Sequence, residues 1–550
     1  MTAKETVKEL DQLDELARDF WAWRAVTQPF SSDDLPRIER PADWQPDWTP
    51  ETIKRQREEI AAFEQRFRQI NAASWPIPRQ VDYRLIGSAL ARVRWELDVT
   101  RGWERNPKFY VDQTLGALYE ELLKQSPPID RRGGEVIKRL KDIPPLIATA
   151  KTNLAGHAVK PFAVAALESL NNLRPRLTKV ARELKPLLGS ESAGQLDQEM
   201  EAAITALESF RAWLEERMPA MSEKSAVGRD GYLFFLKNVA LMPLTPEQLL
   251  AMGRQEWERS MAFEAIARER AKDLPELPLF PDQATQMARE EEDEKKIRQF
   301  LEEQNLMTVP SWMQHYRNLP LPAYIEPLVP LGVADDLTSD TRLDEHGVRY
   351  IPPPSLGLGY FELSSARDPR PLIVHEGVPG HYFQMALSWK HENPIRRRYY
   401  DSGPCEGIGF YAEELMLQAG LWDDSPRSRE IIYNFMRLRA LRVEVDVKLA
   451  IGLFTIDEAT EYLQTKTPMD RDTARFEAVF FASAPCQAIT YQIGKLQIIK
   501  FLADARQAQG EKFNLRAFHD FLWKNGNAPI ALLRWEYLGL KDEIESLDNH

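Results

Sequence analysis

The stretch Val374-His375-Glu376-Gly377-Val378-Pro379-Gly380-His381-Tyr382-Phe383-Gln384 sets two imidazoles on either side of a carboxylate, and that carboxylate directly follows the first of them. Zinc hydrolases use this donor set. Two neutral His nitrogens hold the ion, and a Glu that is not a ligand takes a proton from metal-bound water. The common helical form spaces the two His at i and i+4, about 40° apart around the axis. Here the second is at i+6, roughly 240° round a regular helix, so an undistorted helix cannot aim both rings at one ion. Pro379-Gly380 supplies the distortion. Proline has no N–H for the carbonyl of His375, and glycine tolerates dihedrals outside the helical well. A break or bulge there is expected to absorb the two extra residues and return His381 to the face of His375.

With 8 His in 550 residues, a chance match to this pattern arises in on the order of 1% of such chains. A third ligand is therefore needed, and Glu406 offers one, 25 positions after His381 in Cys405-Glu406-Gly407-Ile408-Gly409-Phe410-Tyr411-Ala412-Glu413-Glu414-Leu415. A helix from His381 to about His391, ended by Asn393-Pro394, carries the chain about 15 Å from the ion. The dozen or so residues that follow span up to about 40 Å extended, enough for the return. Glu413 shares a helical face with Glu406 and is placed to orient a ligand His from behind.

These motifs resemble the bacterial domain of unknown function 885 family. That family is in turn similar to zinc peptidases of the carboxypeptidase Taq and thimet oligopeptidase type. The resemblance covers roughly residues 80 to 540, and its specific parts are His375–Gln384, Glu406–Glu414 and Pro485–Lys495. It implies a large, mostly helical fold with a deep cleft, and a third ligand Glu at the position of Glu406. Two residues depart from the family pattern: Tyr382 stands where a second His is usual, and Ile408 where Trp is usual. Tyr491 in Tyr-x-Ile-Gly is similar to a cleft tyrosine of the Taq-type enzymes. A phenol there would donate to a developing oxyanion; packing of its ring in a helix interface is the other reading.

Composition narrows the classes. A 43% apolar and 28% charged chain is ordinary for a soluble globular protein, and the net charge of −13 argues against a nucleic-acid partner. Two cysteines, Cys405 and Cys486, make no disulfide framework and are expected reduced and buried. No apolar run suits a signal peptide or a membrane span, so the cytoplasm is the default location.

The periodicity predicts helices over 5–27, 51–73, 82–99, 111–125, 134–154, 160–187 and 193–218, with a loop at Ser31-Ser32-Asp33-Asp34 and a turn at Asp130-Arg131-Arg132-Gly133-Gly134. A division into an N-terminal helical layer, 1–225, and a metal-bearing half, 226–550, is expected, with one continuous domain as the alternative. Thr245-Pro246-Glu247-Gln248 reads as a helix start. Glu290-Glu291-Glu292-Asp293-Glu294-Lys295-Lys296 reads as a solvated helix face. Arg442 and Asp446, four apart, are expected to pair. Arg349-Tyr350-Ile351 and Tyr360-Phe361-Glu362-Leu363-Ser364 read as short strands. The second would offer a free edge to a peptide, making Tyr360, Phe361 and Glu362 substrate-binding candidates; a small structural sheet is the alternative. The remaining histidines, including His550, have no ligand spacing.

These readings combine into one expectation: a metal-dependent hydrolase, foremost a peptidase. One zinc ion, with manganese or cobalt as substitutes, would be held by His375, His381 and Glu406. Glu376 would be the general base and Tyr491 would assist. The substrate would be a peptide or small amide. Hydrolysis of a non-peptide amide or ester, and a binding protein without activity, are the alternatives.

Overall fold

The computed structural model describes residues 3–31, 39–41 and 44–549. Most of the predicted loop at Ser31–Asp34 falls outside them, as does His550. The chain is mostly helical with one small sheet. Early helices run Ala3–Thr27, Pro50–Arg68, Ile77–Arg94 and Ser190–Arg217, close to the predicted spans. Pro107–Val111, Asp112–Gly116 and Ala117–Leu123 form one continuous rod with a π-type middle. The largest apolar core runs through both halves of the chain, from Leu13 to Leu547.

Several expectations are corrected. The turn at Asp130–Gly134 is instead the start of the helix Ile129–Leu154. Gly133 sits where the Ser190–Arg217 helix crosses, and a Cβ there would lie 2.6 Å from Ser192 Oγ. Gly133 thus serves helix packing rather than a turn, while Gly134 faces open space. The helix expected over 160–187 is divided into Lys160–Ser169 and Leu173–Leu184 by Asn172 at φ +50°.

Thr245 opens the Pro246–Ala271 helix through a reciprocal capping box with Gln248. This helix lies along Pro426–Ala450. The predicted ion pair on the latter does not form. Arg442 reaches across to Glu477, while Asp446 accepts the backbone N–H groups of Cys486 at 3.0 Å and Ala488 at 2.7 Å. Asp446 therefore caps the start of the helix Ile489–Gln509, a use of carboxylate that i,i+4 spacing does not reveal.

The acidic run is two-faced. Glu291 and Glu292 are exposed and pair with Lys295 and Lys296, each at 2.6 Å. Glu290, Asp293 and Glu294 are buried against the sheet. Glu294 holds Arg298 at 2.6 Å and His315 at 2.8 Å.

The sheet has the order β1-β3-β2, with β1 Tyr316–Pro320, β2 Asp335–Asp336 and β3 Gly347–Ile351. Strand β3 pairs parallel to β1, Asn318 opposite Arg349, and antiparallel to β2, Asp335 opposite Arg349. Arg349–Ile351 is thus a central strand. Tyr360–Ser365 is a helix, not a strand, because its aromatic residues pack on Phe435 rather than pairing their backbones. No free edge arises at either segment.

Candidate metal centre

The helix that delivers His375 ends as the sequence break requires. Arg370–Leu372 passes into a π-type turn, Ile373–Gly377, whose widening lets Val378 N–H reach the carbonyl of Ile373 at 2.8 Å. Val378 is extended, Val378–Pro379 is cis, and a new helix starts at His381. Gly380 closes the corner. A Cβ on it would lie 1.7 Å from the carbonyl oxygen of His375, so no other residue fits this path. Trp523 Nε1 donates to the Pro379 carbonyl at 2.6 Å and pins the corner from outside.

Glu406 comes from the helix Ser402–Ala419, whose first turn Asp401 caps by accepting from Gly403 N–H at 2.8 Å. This helix crosses Ile489–Gln509 with the two backbones touching. A Cβ on Gly494 would lie 2.3 Å from the Gly403 carbonyl, and one on Gly407 would lie 2.8 Å from Gly494 Cα.

One donor atom from each of His375, His381 and Glu406 lies within 4.8 Å of the others, and all three side chains are buried. His375 Nε2 and His381 Nε2 each stand 3.3 Å from Glu406 Oε2. Donors about 2.0–2.1 Å from a tetrahedral ion are about 3.3–3.4 Å from one another, so the spacing fits a small divalent cation. The polar inventory agrees, because Glu406 Oε2 is buried with no hydrogen-bond donor, a costly arrangement unless a cation satisfies it.

The field points the same way. Burial alone would push His375 down, yet Glu406 and Glu413 raise it above the ordinary imidazole value. His381 is also raised against its burial, by Cys405 and Glu406. Glu406 is driven far below the carboxylate range by the two imidazoles, again against burial. The site attracts positive charge, and a metal ion would take the place of those protons.

The supporting contacts are directional. His375 Nδ1 lies 2.7 Å from Glu413 Oε1, which Arg439 also holds at 3.0 Å. His381 Nδ1 lies 3.4 Å from Cys405 Sγ. In both rings Nδ1 faces a supporting side chain and Nε2 faces Glu406. Cys405 and Cys486 are both buried and form no disulfide with each other, and spacing gave no sign that Cys405 would back a ligand.

Glu376 is the partly open member, with 16% of its side chain exposed. It lines, with the three donors and Tyr491, a cavity of about 120 Å³. Arg349 Nη1 lies 3.4 Å from Glu376 Oε1. Burial would raise the Glu376 carboxyl, but Arg349 and the imidazoles hold it below the usual range. Arg349 was missed as a site residue. Its one sequence signal is a charge within a short strand that is otherwise apolar, Gly347–Ile351.

Tyr491 both packs its ring and borders the cavity. Its ring stacks on His375 at 6.2 Å between centroids and carries the Arg442 guanidinium at 4.6 Å, and it also lines the cavity. Tyr360 and Phe361 pack in a neighbouring apolar cluster, and Glu362 lies on the far side of Arg349 at 3.9 Å. None of the three lines the cavity. The two family departures also face inward: Tyr382 packs near Tyr316, and Ile408 is fully buried.

Residues 37–536 match the family described as "Bacterial protein of unknown function (DUF885)". The chain belongs to this family. No curated protein matches it. Two solved structures share the fold of this family member. One, a candidate lipoprotein of unknown function from Shewanella oneidensis, is 16% identical with a TM-score of 0.68, covering 96% of this chain and 99% of that one. The other, a candidate lipoprotein from Colwellia psychrerythraea, is 18% identical with a TM-score of 0.72, covering all of both chains. No described helix is long and apolar enough to cross a membrane.

Proposed function

We propose that the protein is a metal-dependent hydrolase, foremost a zinc peptidase of the kind the motif resembles. The observation that carries this reading is the convergence of His375, His381 and Glu406 at 3.3 Å spacings, beside a carboxylate that is open to the cavity. A zinc ion held by these three residues would supply a Lewis acid that polarises a carbonyl and brings the pKa of water near 7.

The chain's own groups divide the remaining work. Glu413 and Cys405 orient the rings so that both Nε2 lone pairs converge. Arg349 keeps Glu376 ionised, and Glu376 accepts a proton from water in the cavity and delivers it to the leaving amine. Tyr491, on the cavity wall, donates to the oxygen that gains charge at the tetrahedral carbon. Tyr316, Tyr382 and the apolar core behind the rings exclude water from the ligand side.

Metal analysis of the purified protein, followed by a mixed peptide library read by mass spectrometry, tests the proposal. Close to one zinc per chain with cut peptides is the expected result. Ragged C-terminal loss would specify a carboxypeptidase, and internal cuts an oligopeptidase. Metal without cuts would turn the reading to a non-peptide amide or ester, and a chain that binds no metal would overturn it. Cell fractionation would locate the protein, since both similar structures carry lipoprotein descriptions.

A further inference from the structure

A second recess adjoins the candidate metal centre, and its walls are of another character. It measures about 170 Å³ and is built largely by the N-terminal half, with Trp23, Trp48, Trp103, Phe109, Phe162 and Phe480 among its lining residues. Phe30, Ser31 and Asp112 line both this recess and the cavity that holds the metal donors. The two spaces therefore share a wall.

Charges do reach the recess, but they are already paired. Arg24 binds Glu96, Lys108 binds Asp112 at 2.7 Å, and Arg105 donates to the carbonyl of Lys224 at 3.0 Å. Two of the indole N–H groups are also used, that of Trp23 by Glu59 at 2.7 Å and that of Trp103 by the Leu97 carbonyl at 3.2 Å. Aromatic ring faces make up much of the apolar surface left to a ligand. The volume suits one ring, since an apolar cavity of about 150 Å³ takes benzene.

The helical rod Pro107–Leu123 measures the separation. Its first turns, Lys108, Phe109 and Asp112, line the recess, while Asp112, Gly116, Tyr119 and Leu123 line the metal cavity. The mid-points of these two stretches are roughly 12 Å apart at 1.5 Å per helical residue. An extended peptide covers that in about four residues.

We propose that the recess is a side-chain subsite of the metal centre, and that it takes an aromatic side chain of the substrate about three or four residues from the cleaved bond. This rests on the hydrolytic reading, and it makes the N-terminal half a selectivity wall. Trp and Phe edges would pack on the incoming ring, an arrangement favourable beyond the area buried.

The test uses the full-length zinc-loaded protein and blocked octa-alanine peptides in which one phenylalanine is moved through every position. Cleavage is read by mass spectrometry, and binding to the Glu376→Gln variant by calorimetry. One position should gain about tenfold to a hundredfold in binding over the all-alanine peptide, the range for burying a phenyl group. Ser483→Phe, which fills the recess, and Trp103→Ala, which strips its wall, should each reduce that gain at least fivefold at unchanged metal content. Cleavage with no positional preference would overturn the subsite while the hydrolase stands. A preference that survives both variants would also overturn it. Absence of cleavage, with the positional gain in binding still present and lost in Ser483→Phe, would remove the peptidase reading and leave the recess as an aromatic-binding site.

Discussion

His375 Nδ1 and Glu413 Oε1 lie 2.7 Å apart in the interior, with Arg439 3.0 Å from the same oxygen. The carboxylate can only accept, so a ring proton on Nδ1 would face it and leave the Nε2 lone pair for a metal. Glu413→Gln keeps the shape and an acceptor but removes the charge. Zinc affinity, measured by competition with a chelator, should fall about tenfold, the low end for loss of such a partner. An unchanged affinity would mean that Glu413 serves only Arg439.

Gly380→Ala should abolish tight metal retention. The new methyl carbon would be placed 1.7 Å from the His375 carbonyl oxygen, so the corner must open and carry His381 away. A stability loss of more than about 2 kcal/mol in a denaturant melt is expected, at the severe end for one substitution. Gly134→Ala is the control, since that glycine is helical with nothing within 4 Å of its missing Cβ. It should gain up to about 1 kcal/mol. Equal behaviour of the two variants would refute the corner as the source of the geometry.

Glu376→Gln separates catalysis from metal holding. The carboxylate is not among the three converging donors, so metal content should match the parent. Peptide turnover should drop by at least ~10²-fold, as loss of a positioned general base does. Loss of metal in this variant would make Glu376 a ligand, and retained turnover would assign the chemistry to another residue.

Glu290 gives a pH dependence with a defined sign. Burial raises its carboxyl to about 7 from an ordinary 4.5. Between those values the folded protein keeps a proton that the unfolded chain has lost, so its contribution to stability declines as pH rises through that window. Glu290→Gln should therefore stabilise by about 1–3 kcal/mol more at pH 8 than at pH 4.5, read from paired denaturant melts. An equal effect at both pH values would place the proton elsewhere.

Local chemistry explains what could be read from the residues alone. The break between His375 and His381 follows from a proline that cannot donate and a glycine that can bend, and both act within one turn. Glu406 and Glu413 are readable because seven residues of helix fix their common face. Arg349, Cys405 and Arg439 reach the centre only through tertiary packing, and nothing in their neighbours' spacing announces it. The same limit misassigned Tyr360–Ser364, where the apolar and polar alternation from Phe361 to Ser364 suits a strand but packing on Phe435 makes a helix. It also hid the buried face of Glu290, Asp293 and Glu294, since a run of acids looks alike on solvent and on a sheet that supplies cations.

The meeting of Gly407 and Gly494 restricts how descendants of this sequence can diverge. Glu406 and Tyr491 stand on two helices whose backbones already touch there, so no side chain remains to be trimmed for more room, and any added atom would wedge the helices apart. Variation in what the pocket accepts must enter from the opposite wall, through positions such as Tyr119, Leu331 and Val333. One side of the pocket is thereby frozen by main chain while the other stays free to drift, and a mutational scan should find its tolerated substitutions on that second side.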